Sequence, residues 1–187
     1  MKTIKLFGLL FLGLTFATSC SDDDDPEPVN EEEVITTLRI TLTPDGGGSD
    51  VIFESRDLDG DGPDAPIVTT GDLAAFTTYS GVVEVLNELE TPPENKTPEI
   101  LEEDEEHQFF YEFITSSGAD VTYDDQDGNG NPIGQMIELT TASASQNTLV
   151  VTLLHEPDKD AQGVSAGDAT NAGGETDISV TFSFAVN

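Results

Sequence analysis

The chain has 187 residues, 38 of them acidic and six basic, for a formal net charge of −32. That balance excludes a nucleic-acid binder, which needs Lys and Arg opposite phosphates, and argues against direct docking on anionic lipid. A single cysteine excludes a disulfide framework, a haem-attachment motif and a zinc ribbon.

The first segment reads as an address. Met1 to Lys5 is basic, and the twelve residues Leu6 to Ala17 carry no charge. A bilayer crossing takes about 20 helical residues, so this run is a secretory signal rather than a span. Leu14 stands six residues before Cys20, and Ala17, Thr18 and Ser19 are small. The stretch resembles a loose bacterial lipoprotein signal, which implies a signal peptide over 1–19, cleavage by peptidase II and acylation of Cys20. Acyl chains contribute roughly 0.8 kcal/mol per buried CH₂, and more than one chain gives stable anchoring. The alternative is an ordinary signal peptide with an incidental cysteine.

Ser21 and Asp22 to Asp25 resemble the acidic export signal of Bacteroidota surface lipoproteins, implying an anchor on the outward face of the outer membrane. The alternative is a solvated acidic tether on a periplasm-facing anchor. Without residues 1–19 the basic residues are Arg39, Arg56, Lys96 and Lys159, four against 38 acids, a net charge of −34. Residues 20–33 form an acidic, proline-rich tether, and 34–187 suits one domain.

Within that domain, alternation marks the strands. Leu38, Ile40 and Leu42 alternate with Thr37, Arg39, Thr41 and Thr43, and the glycines 46–48 turn the chain into 51–55. Residues 79–89 are extended, and Thr91-Pro92-Pro93 ends them. Thr97-Pro98 can open only a short helix, because the acids from Glu102 to Glu106 crowd its carboxyl end. Strands follow at 107–115, 119–124, 133–140 and 148–155, and the last alternates from Ile178 to Val186. About eight strands with almost no helix predict an antiparallel β-sandwich, with a closed β-barrel as the alternative.

Two loops carry aspartates at alternate positions before a glycine: Asp57, Asp59 and Asp61, then Asp125, Asp127 and Asn129. Oxygens so spaced can converge on Ca2+. Val68 and Met136 stand where an EF-hand needs glutamate, so any calcium loop here lies between strands. The plainer alternative is a hairpin turn made from good turn residues.

The histidines are the sharper pair. His107 follows the acidic run ending in Glu106 and is in phase with Phe109, Tyr111 and Phe113. His155 precedes Glu156 and is in phase with Leu149, Val151 and Leu153. If the four strands from 107 to 155 run up and down in one sheet, both imidazoles and both glutamates share a rim. Imidazole with carboxylate suits Zn2+ or a related ion. Otherwise each ring hydrogen-bonds backbone at a strand end. No G-x-S-x-G elbow occurs, and carboxylates are too abundant for any pair to signal hydrolysis.

Thr43-Pro44-Asp45 with the glycines 46–48, the acidic run into His107, His155-Glu156-Pro157 and Asn171 to Asp177 resemble a family of small flavobacterial-type outer-membrane lipoproteins of uncharacterised function. The α/β periplasmic-binding fold linked with such proteins disagrees with the all-β alternation. The resemblance implies a TonB-dependent transporter as partner. The expectation is therefore a non-catalytic, lipid-anchored surface protein that captures a divalent metal or another ligand. Its rival is a structural or adhesive module with at most stabilising calcium.

Overall fold

A computed structural model describes residues 34–187 except Asp61, Ser116 and Ser117. The segments expected as signal peptide and tether, with Cys20 and Asp22 to Asp25, lie outside the described residues, as does Asp61 of the first aspartate loop. The described residues form ten strands: β1 Thr37–Pro44, β2 Val51–Arg56, β3 Ile67–Thr69, β4 Thr78–Asn87, β5 Glu94–Asn95, β6 His107–Thr115, β7 Asp120–Tyr123, β8 Met136–Thr140, β9 Ser145–His155 and β10 Glu175–Val186. The only α-helix among the described residues, α1 (Thr97–Glu102), has six residues. Pro98 sits in its first turn and Lys96 caps it without a side-chain bond. It ends at Glu102, the first residue of the acidic run, and the dipole disfavours carrying further acids at that end.

The architecture is an antiparallel β-sandwich. One sheet runs β3-β2-β1-β4-β8-β7, with β5 on β4, and the other runs β10-β9-β6. The described strands do not close into a barrel. Leu38, Ile40 and Leu42 of β1 are buried against Phe109, Leu149, Val151 and Phe182 of the smaller sheet, all in one core. Phe53 lies 5.6 Å from Phe182 and 4.9 Å from Phe184, centroid to centroid, in tilted contact across the sheets. Each such side chain contributes about 1.5–3 kcal/mol on burial. Among the described residues no helix is long and apolar enough to cross a membrane.

The single up-and-down series expected from 107 to 155 does not form. After β6 the chain crosses to the larger sheet for β7 and β8, then returns as β9 to pair directly with β6. Alternation states which side of a strand faces inward, but either sheet satisfies it. The crossing puts β6 and β9 side by side over nearly their whole length.

The segment from 156 to 174 folds over the outer face of β6 and β9. Val164 and Ala172, in and beside two short 3-10 turns, bury Phe110 and Leu154 in a second, smaller core. Gln108 is buried on that face too, donating from Nε2 to the Val164 carbonyl at 3.1 Å. So the 156–174 segment is a cover for the smaller sheet.

Candidate metal centre

Because β6 begins where β9 ends, His107 and His155 are direct cross-strand partners. Their rings stack with centroids 4.6 Å apart and planes 8° from parallel. The Glu156 amide donates to the Glu106 carbonyl at 2.6 Å, carrying the ladder one residue past the strands. Glu156 then turns the chain with φ 51, a left-handed conformation costing a non-glycine residue about 1–2 kcal/mol. Gly174 packs against that turn. A Cβ there would stand 2.3 Å from the His155 carbonyl oxygen, so only glycine fits.

At this turn Glu106, His155 and Glu156 each bring a ligand atom within 4.8 Å of the others, and both glutamates are exposed. Glu106 Oε2 is 3.9 Å from His155 Nε2. Two donors of one tetrahedral zinc stand about 3.4 Å apart, so rotamer changes of two exposed glutamates would close the set. His155 Nδ1 is buried and has no hydrogen-bond partner.

The two imidazoles do not converge. Lone pairs lie in the ring planes, and stacked parallel rings point them side by side. In this arrangement one ion cannot take both His107 and His155, so the shared two-histidine site gives way to separate surroundings for each ring. His107 is fully buried. Its Nδ1 meets the Glu103 carbonyl at 3.2 Å, and its Nε2 faces Asp177 Oδ2 at 3.7 Å. Burial lowers the proton affinity of His107, the Glu103 carbonyl partly offsets this, and His155 lowers it further.

Lys159 holds the rim together. Its buried ammonium donates to the carbonyls of Asp104 and Pro132 and to Asp127 Oδ2 at 3.0 Å, tying the approach to β6, the 125–132 loop and the exit from β9. Beside it a polar cup of about 230 Å³ is lined by Glu105, Asp127, Asn129, Asn131, Asp158 and Asp160.

The aspartate loops are committed elsewhere. Asp125 accepts from the amides of Gly134 at 2.6 Å and Met136 at 2.7 Å, whereas Asp127 accepts from the amides of Asn129 and Asn131 and from Lys159. Their carboxylates therefore face different partners rather than a common point. Asp57 accepts from the amides of Asp59 and Gly60, and Asp59 from that of Asp64, in an exposed turn.

Two residues escaped the sequence reading. Asp177 stands out of phase with the inward series from Ile178, but the register slips between Thr176 and Ile178 and its side chain is fully buried. Lys159 carried one legible signal, as a lone cation between Asp158 and Asp160. Neither Tyr111 nor Tyr123 is a ready nucleophile. Burial holds Tyr111 well above the usual phenol range and pushes Tyr123 up to about 12, and each hydroxyl donates to a backbone carbonyl. No protein-family model matches the chain, and no curated protein or solved structure does either.

Proposed function

We propose that this protein is a non-catalytic, lipid-anchored binding module of the outer-membrane surface, which captures a divalent transition-metal ion for a TonB-dependent transporter. The observation that carries the metal reading is the cluster of Glu106, His155 and Glu156, with ligand atoms within 4.8 Å at an open strand end. One imidazole and two carboxylates are a donor set for zinc or a neighbouring ion, with a position left for a ligand from a partner. The anchor reading rests on Cys20 and the signal-like residues before it.

Calorimetric titration of the metal-stripped chain with zinc tests the site. Glu106→Gln/Glu156→Gln binds one equivalent of zinc fewer than the wild type; an unchanged stoichiometry with unchanged affinities removes the rim ligands from the reading. Mass spectrometry of the membrane-extracted protein tests the anchor, since acylated Cys20 must be the first residue.

The rival is a structural or adhesive surface module. In its favour, Asp125, Asp127 and Lys159 are engaged in holding loops together. Protease shaving of intact cells decides whether the domain faces outward, which the adhesive reading requires and a periplasm-facing anchor does not permit.

A further inference from the structure

We infer that His107 and Asp177 form a second, interior divalent-metal position, separate from the glutamate rim. His107 Nδ1 lies 3.2 Å from the Glu103 carbonyl oxygen, which can only accept, so the ring proton sits on Nδ1 and the lone pair on Nε2. An Nδ1–H held by a backbone carbonyl is how a metal-binding imidazole is oriented with Nε2 toward its ion.

Nε2 is buried without a hydrogen-bond partner, on a side chain that is 0% exposed. A buried imidazole nitrogen left so carries an uncompensated desolvation penalty. What it faces, at 3.7 Å, is Oδ2 of Asp177, whose side chain is also 0% exposed. A lone pair opposite a carboxylate oxygen is repulsive unless a cation stands between them. An ion about 2.1 Å from both donors would see them at an angle near 120°, within the range of four-coordinate zinc.

The fold places this pair deliberately. Strict alternation from Ile178 to Phe184 would turn Asp177 outward; the bulge between Thr176 and Ile178 turns it in. A second unpartnered nitrogen, Nδ1 of His155, lies buried on the ring stacked against His107. The position takes a borderline ion that accepts imidazole nitrogen and carboxylate oxygen, such as zinc, and not calcium. It does not depend on Glu106 or Glu156.

Imidazole 15N NMR of the full chain, stripped of metal, tests this directly, because only two histidines contribute. On saturation with zinc the His107 Nε2 resonance is expected to leave the position of an unprotonated nitrogen, while Nδ1 keeps its proton. The same shift must appear in Glu106→Gln/Glu156→Gln, and calorimetry must fall from two equivalents of zinc to one. Asp177→Asn must abolish the His107 shift, and should weaken that equivalent at least tenfold, while the far-UV circular dichroism stays that of the wild type. If the wild-type His107 Nε2 resonance does not move at saturating zinc, a proton bridges the pair and the proposal is overturned, whether or not Asp177→Asn folds. A shift confined to His155 supports the rim and overturns the interior position. A shift confined to His107 does the reverse.

Discussion

The two aspartate loops have nearly the same sequence and opposite situations. Among the described residues, Asp57 and Asp59 accept hydrogen bonds from amides of their own turn alone, at an exposed site. Asp125 reaches across to Gly134 and Met136, and Asp127 is met by the buried ammonium of Lys159, 32 residues away. A carboxylate is a set of acceptors, and the motif does not specify which donors arrive. In the first loop only local amides do, and the side chains remain turn formers. In the second, distant donors make the same residue types a clasp between strand ends.

Removing the distant donor should break that contrast most visibly. Lys159→Met leaves Asp127 and two carbonyls buried without their cation, and should cost about 3–5 kcal/mol. Urea denaturation measures it; a loss no larger than that of Asp57→Ala would show that the loops are equivalent after all. Asp125→Ala should come next, at about 2 kcal/mol, because it strips two charge-assisted bonds from the amides of Gly134 and Met136.

Acid should sharpen the same distinction. Burial works to raise the pKa of Asp127, but the Lys159 hydrogen bond and the amides of Asn131 and Asn129 outweigh it and leave a net lowering. The unfolded chain therefore binds the Asp127 proton more readily than the folded one. This contribution is complete above the ordinary aspartate value near 3.9, and disappears as pH falls through the lower folded value. Urea midpoints compared between about pH 5 and pH 2.5 should drop more steeply in wild type than in Asp127→Asn. Equal slopes would mean that the clasp does not depend on the charge.

The smallest effect belongs to the first loop. Asp57→Ala should stay within about 0.5 kcal/mol of wild type in the absence of metal. Any rise of the thermal midpoint in calcium should vanish in Asp57→Ala and survive in Asp125→Asn, since the Asp125 oxygens already hold two amides. A calcium response that depends instead on Asp125 would reverse the ranking of the two loops.

Much of the strand pattern was legible. Alternation located β1, β2, β4, β6, β9 and β10, and the phase of Phe109, Val151 and Leu153 correctly placed both histidines at the end of an inward face. The very short β3 and β5 carry too few residues to show a period. Ile133 has the pattern of a strand residue but precedes β8, and its carbonyl accepts from the Phe109 amide. The second core under the 156–174 segment was not legible either. Phe110 and Leu154 read as the outward partners of an inward series, and only a loop folded back onto the sheet buries them.

By itself the sequence determined the strands, their inward faces, the acidity of the whole and the nearness of glutamates to both histidines. These are local facts, set by period two and by neighbours in the chain. Tertiary structure decided which sheet each strand joined, that the two imidazoles stack instead of converging, and that Asp177 turns inward to face His107. Pairing partners and bulges depend on contacts between residues far apart in sequence, and such contacts leave no trace in the alternation of a single strand.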